Sequence, residues 1–297
     1  MKRLALLVFF LVAACGSIGA QAQTISLAYK AGDTSKYTFH MVLKYTIGAA
    51  GMSIPANLDL SAKEAVTVKS VDSDGTADLS VVISDVSTKT SMNGTTSTTT
   101  TTTSNTIDMK IAKDGRVVSV NGNAFGNSAL PGISGGQGGI VSAILPDHAV
   151  KPGDTWTKSY NLPNPLGSGS VQATSNSTYQ RDDTVNGVKS AVVESKANTN
   201  LDMTLDLSSM LGAAGTTAPT GVSPSPETLS VKGTSKSDTT TWIDTSGRRI
   251  VKTHSTGTVD ATLTVNVPPP SPKPTTTPVL TGPISLKGTQ TLDLTPA

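Results

Sequence analysis

Gly132-Ile133-Ser134-Gly135-Gly136 places a serine in the G-x-S-x-G spacing, which exposes a hydroxyl nucleophile when a core strand turns sharply into a helix. The preceding Asn127-Ser128-Ala129-Leu130-Pro131 does not read as a core strand, and more glycines follow before Ile140. The motif therefore reads as a glycine-rich loop, with a serine hydrolase as the lesser alternative. His40, His148 and His254 lie far apart and form no H-x-x-x-H pair, so their spacing offers no metal site. Asp72-Ser73-Asp74-Gly75-Thr76-Ala77-Asp78 gathers three carboxylates but lacks the distal bidentate acid of a calcium loop, and reads as a hairpin tip. Asp182-Asp183 reads as the approach to a turn at Asn186-Gly187, not as an acid–base pair. Trp156 and Trp242 are the only tryptophans; in a chain with 4% aromatics they are expected as core anchors rather than sugar platforms. The glycine-rich stretches lack the Lys-Ser/Thr of a phosphate loop. No catalytic, metal-binding or cofactor-binding residue is assigned, and no cofactor is expected.

The composition agrees with a protein that recognises rather than reacts. Of 297 residues, 27 are Gly and 17 Pro, and long Thr runs replace charge, which disfavours a helical bundle and favours strands and turns. The formal net charge is +2 and falls to about zero without Lys2 and Arg3, so no basic surface for nucleic acid is implied. A single cysteine excludes an intramolecular disulfide framework and any multi-cysteine metal site. Met1-Lys2-Arg3 followed by the apolar residues 4–14 has the proportions of a secretory signal and is too short to span a bilayer. Two processing sites compete. Ala20-Gln21-Ala22 before Gln23 fits a small-x-small cleavage site and gives a leader of residues 1–22. Val12-Ala13-Ala14-Cys15 resembles a lipobox, which would end the leader at residue 14 and lipidate Cys15. The expected location is periplasm, cell surface or medium, with membrane contact only through that anchor.

These features need elements to carry them. Tyr37, Phe39, Met41, Leu43, Tyr45 and Ile47 alternate with polar residues, which predicts a long strand with one dry face. Leu58, Leu60, Ala62, Val66 and Val68 predict a second strand that turns at Asp72-Ser73-Asp74-Gly75 and returns through Leu79, Val81 and Ile83. Ile107, Met109 and Ile111 turn at Asp114-Gly115 and return through Val117, Val118 and Val120. Similar landmarks recur in the same order: Lys151-Pro152-Gly153-Asp154-Thr155 after Lys30-Ala31-Gly32-Asp33-Thr34, Asn186-Gly187 after Asp74-Gly75, and Thr245-Ser246-Gly247-Arg248 after Lys113-Asp114-Gly115-Arg116. The fold class is therefore mainly β: two duplicated antiparallel meander halves forming curved sheets or an open half-barrel or sandwich, with at most one short helix, at residues 140–145. The halves are residues 23–122 and 150–267. A Gly-rich connector spans 123–149, a Pro/Thr-rich linker 268–283, and a final strand 284–297. The Thr run at 98–103 has strand propensity without an apolar face, so it fits either a solvated edge or a disordered loop.

The strand-opening Gly-Asp-Thr, the turn core Asp114-Gly115-Arg116-Val117, Leu145-Pro146, Val150-Lys151-Pro152-Gly153-Asp154-Thr155-Trp156 and Asp244-Thr245-Ser246-Gly247-Arg248 carry a resemblance. Over residues 27–265 the chain is similar to bacterial exported β-proteins grouped as domain-of-unknown-function family 6263. That resemblance implies a secreted or lipid-anchored protein and no catalytic residues. At the level of fold analogy, long curved antiparallel sheets also look like bacterial lipoprotein carriers, though those use helices as a lid. The leading expectation is a non-enzymatic exported envelope protein acting as a binding or structural module. The alternative is a carrier of a hydrophobic or lipid ligand on an apolar sheet face.

Overall fold

The computed structural model describes residues 21–49, 51–121, 144–162, 167–206, 228–266 and 283–297. Cys15, Ser134 and the linker residues 268–282 lie outside these. So does most of the expected helix; its last two residues, Ile144 and Leu145, are irregular coil, and no helix occurs among the described residues.

Alternation becomes strand wherever one face can be buried. The strands are β1 (Thr34–Ala49), β2 (Met52–Val71), β3 (Ala77–Met92), β4 (Thr95–Thr101), β5 (Asn105–Ile111), β6 (Val117–Asn121), β7 (Thr155–Leu162), β8 (Gly167–Val185), β9 (Val188–Asp206), β10 (Thr228–Asp244), β11 (Ile250–Asn266) and β12 (Ile284–Pro296). All pair antiparallel in one sheet of order β6-β5-β3-β2-β1-β12-β11-β10-β9-β8-β7, with β4 added beside β3. The first six strands and the last six are each a meander, joined where β12 pairs with β1, Phe39 opposite Leu294 and Leu43 opposite Gln290. The Thr run takes the solvated-edge option: β4 is exposed at every residue and pairs only with the upper half of β3.

Two backbone hydrogen bonds show that this sheet is rolled. Leu27 N–H donates to Lys113 in the β5–β6 turn (2.9 Å), and the adjacent Ala28 N–H donates to Arg248 in the β10–β11 turn (2.9 Å). In a flat sheet β5 and β11 would stand five strand spacings apart, roughly 24 Å, whereas consecutive Cα atoms are about 3.8 Å apart. Residues 144 and 145 bridge the two ends of the sheet in the same way. Leu145 N–H donates to Asp114 (2.8 Å), while the Ile144 carbonyl accepts the indole N–H of Trp156 on β7 (2.8 Å). Register shifts at Ser61/Lys63, Val68/Ser70, Tyr179/Arg181 and Trp242/Ile243 supply the local bends that rolling requires. The result is an open barrel: β6 and β7 end the sheet without pairing to each other.

The inner wall carries one contiguous apolar cluster that runs from Ile107 and Val117 near one edge through Phe39, Met41 and Leu60 to Val171 near the other. A second cluster closes the lower end. Ile25 and Leu27 of the N-terminal segment pack there with Leu145, Val150, Trp156, Tyr179 and Ile243. The outer wall carries the polar half of each strand, including the ion pairs Lys63–Asp85 (2.8 Å) and Lys287–Asp260 (2.9 Å). This is the reverse of the apolar-out alternation of a lipid-embedded barrel.

Of the three recurring landmarks, the first shares its geometry. Asp33 N–H bonds the Lys30 carbonyl and Asp154 N–H the Lys151 carbonyl, both at 3.0 Å, and Gly32 and Gly153 take φ of 89° and 95°. Each glycine then donates to a strand residue, Val68 or Tyr179, whose N–H returns to the turn aspartate's carbonyl. The other two pairs differ. Asn186-Gly187 is a two-residue hairpin turn with both φ positive, whereas Asp74-Gly75 lies within a longer turn closed by Asp72 and Thr76. At the third, Gly115 takes the positive φ in the first half but Arg248 does so in the second.

Arg248 also pins the N-terminal segment, its guanidinium donating to the Ser26 hydroxyl and, at 3.4 Å, to the Ser26 carbonyl. Arg248→Ala is expected to cost about 1 kcal/mol, the scale of one part-exposed charge-assisted bond. Hydrogen exchange is the check: protection at Leu27 and Ala28 should fall while that of β1 stays, and equal loss in both would show that the segment is not locally held.

Candidate functional site

The lower ends of the strands, their turns and the N-terminal segment enclose a cavity of about 250 Å³. Its floor is Leu27, Ala28 and Tyr29, and its wall runs over five neighbouring strands: Leu79 of β3, Val66 and Val68 of β2, Tyr37 of β1, Leu294 of β12 and Ile250 of β11. The Tyr37 hydroxyl donates to the Ile250 carbonyl (2.7 Å), tying β1 to the start of β11 across the intervening β12. Asp33 and Arg249 supply charge of opposite sign to the lining. Burial drives the phenols of Tyr29 and Tyr37 upward, and the nearby Arg249 guanidinium partly offsets this at Tyr37. Both hydroxyls are therefore neutral donors at any physiological pH.

Directly opposite Tyr37 in the register is Glu64, 2% exposed on the inner wall of β2. Neither carboxylate oxygen has a hydrogen-bond partner among the described residues, and burial pushes its pKa up to about 8. Sequence reasoning missed this residue, although the signal was present. The apolar alternation Leu58, Leu60, Ala62, Val66, Val68 skips position 64, and a period of two places that position among them. The inner wall of the second half holds a second unforeseen feature. Ser177, Ser195, Thr239 and Ser255 form a band across β8 to β11, with Ser177–Ser195 and Thr239–Ser255 bonds of 2.8 Å. Below it Thr241 and Thr253 face each other across β10 and β11, and neither hydroxyl has a partner among the described residues.

The residues singled out by type are dispersed. His40 Nε2 is 3.0 Å from Asp59 and His254 Nδ1 is 2.7 Å from Asp293, all on the outer wall. Asp293 is the register partner of both histidines and Asp59 reaches His40 diagonally from two residues out of register, so four neighbouring strands carry Asp, His, Asp and His side by side, something their sequence spacing hides. Each histidine is bonded to its own carboxylate, and no three metal-ligating groups converge among the described residues. His148 bonds Asp147 at the surface (2.9 Å). Asp74 accepts the Thr76 N–H (2.9 Å) within its turn. Asp182 and Asp183 diverge: Asp182 accepts the Tyr179 hydroxyl, and Asp183 accepts the Trp242 indole N–H (3.0 Å), which holds the Asp183 carboxyl low. Trp156 anchors the lower cluster, as its type suggested. Trp242 does not. It is half-buried outside the core, with the Lys252 ammonium 4.8 Å from its ring centroid, because alternation turns it away from the inward-facing Thr241.

The fold and site together define a rolled, open antiparallel barrel with a capped chamber of mixed polar and apolar lining at one end. No protein-family model matches the chain, and a search of curated proteins finds no match. No helix among the described residues is long and apolar enough to cross a membrane.

Proposed function

We propose that this chain is an exported, non-enzymatic binding module of the cell envelope, and that its ligand occupies the chamber between the N-terminal segment and the lower barrel wall. The observation that carries this reading is the enclosure itself. Five neighbouring strands, drawn from both meanders, and a separate floor segment border about 250 Å³ lined by polar and apolar groups in similar measure, a concavity of the kind that small molecules occupy. The cationic and apolar leader supports export, and the resemblance to exported β-proteins supports the envelope.

The carrier alternative would use the apolar face of β1 as an open groove. Burial of that face works against it, since Phe39, Met41 and Leu43 each keep under 5% of their surface exposed. Native mass spectrometry of gently purified protein is expected to show at most a small adduct; a co-purifying long-chain lipid would favour the carrier instead. Intact mass tests the leader. A chain beginning at Gln23 gives a free module, whereas one beginning at a diacylglyceryl Cys15 gives an anchored one. For the hydrolase alternative, Ser134→Ala is expected to leave fluorophosphonate labelling unchanged, and loss of labelling in that variant would reinstate an enzyme.

A further inference from the structure

Resting on that binding-module reading, we infer that the chamber takes a short-chain aliphatic carboxylate, its head on the Arg249 guanidinium and its chain against Val66, Val68 and Leu79. Size sets the first limit. An apolar cavity of about 150 Å³ takes benzene, so about 250 Å³ accommodates a chain of about six carbons.

Charge sets the second. Arg249 Nε lies 3.5 Å from Asp244 Oδ2, while the Asp244 Oδ1 is already bonded by the N–H groups of Ser246 (2.9 Å) and Gly247 (2.7 Å). A guanidinium has five donors in a planar fork that matches a carboxylate, more than the contact with one Asp244 oxygen uses. The guanidinium lines the same cavity as Tyr37 and lowers the pull of burial on its hydroxyl, which puts positive charge at the exposed rim of the lining. The competing charge is Asp33, of the Lys30–Asp33 turn, which lines the same cavity and is exposed, as Arg249 is. Glu64 beside Tyr37 is protonated at neutral pH and does not repel an anion. Arg248, the next cation along the chain, is committed to Ser26.

The test compares sodium hexanoate, hexylamine and 1-hexanol by isothermal titration and thermal shift on the processed chain at neutral pH. Hexanoate is expected to bind at least tenfold more tightly than the other two. Arg249→Met should reduce its affinity at least tenfold while leaving hexanol binding within twofold, and Arg249→Lys should retain part of the loss because the charge stays and the fork goes. Arg249 is exposed but pairs with the buried Asp244, so melting temperatures without ligand check that each variant keeps the fold before binding is compared. Val68→Phe, which fills the chamber, should abolish binding of all three. Preferred binding of hexylamine, or hexanoate binding untouched by Arg249→Met, overturns the anionic ligand while the chamber remains a binding site. Failure of all three probes to bind the unaltered protein overturns the ligand and the binding-module reading together.

Discussion

Raising the pH from about 5 to about 9 is expected to destabilise this protein, and Glu64→Gln is expected to remove most of that loss. The carboxyl of Glu64 sits on an apolar inner wall with no hydrogen-bond partner among the described residues, and its pKa rises from 4.5 to about 8. The native state therefore binds the proton more tightly than the unfolded chain. Stability from this group is fully present below about pH 4.5, declines by about 1.4 kcal/mol per pH unit above it, and levels off once the pH passes about 8. The whole effect is up to about 5 kcal/mol, comparable with the total stability of many domains. Carboxylates shifted the other way, Asp74, Asp147 and Asp183, lose their contribution only as the pH falls below the ordinary carboxylate range, so the two trends occupy different windows. Urea unfolding at several pH values measures the slope. Glu64→Leu should go further, raising stability at neutral pH by about 1–3 kcal/mol, because it also removes a buried unpaired polar group. A parallel slope in the unaltered protein and in Glu64→Gln would mean that another group is responsible.

The second large effect is expected at Gly288. This residue pairs with Tyr45 where β12 meets β1, the single seam joining the two meanders. The Tyr45 ring lies over it, and a Cβ at 288 would overlap both that ring and the Lys44 carbonyl. A flexible side chain could swing aside, but the carbonyl belongs to the paired strand and moves only with the sheet. Tyr45 is itself buried, so its ring has little room. Gly288→Ala is expected to cost about 3 kcal/mol, at the upper end of overpacking effects, and Gly288→Val more. Thermal unfolding gives the number. Tyr45→Ala in the Gly288→Ala background should recover only the part of the loss due to the ring. A loss below about 0.5 kcal/mol would show that the seam is looser than the packing of Tyr45 on Gly288 implies. The same change at the exposed Gly94, where a Cβ would touch nothing but φ is 80°, should cost about 1 kcal/mol from backbone strain alone.

The local rules of a strand reach far into this chain. Period-two alternation identified the inner side of β1, β2 and β5, and Asp-Gly and Asn-Gly marked hairpin ends that the fold uses. They reached less far into the second half. There Ser177, Ser195, Thr239 and Ser255 occupy inward positions, and an alternation of small polar with larger polar residues gives hydropathy nothing to detect. Glu64 fell in the same blind spot from the opposite direction: its type argued for solvent, while its parity placed it inside. Trp242 shows the converse, an apolar type whose parity turns it outward.

What the amino-acid order determined by itself is strand content, the facing of most side chains and the position of turns, because each depends on neighbours within a few residues. The rolling of the sheet, the meeting of β1 with β12, and the chamber beneath them were decided only in three dimensions. They rest on contacts such as Leu27 with Lys113, Ala28 with Arg248 and Tyr37 with Ile250, between residues far apart along the chain. Hydrogen bonds of that kind leave no periodic trace, since nothing in the spacing of two distant residues encodes the distance to which a closing barrel brings them.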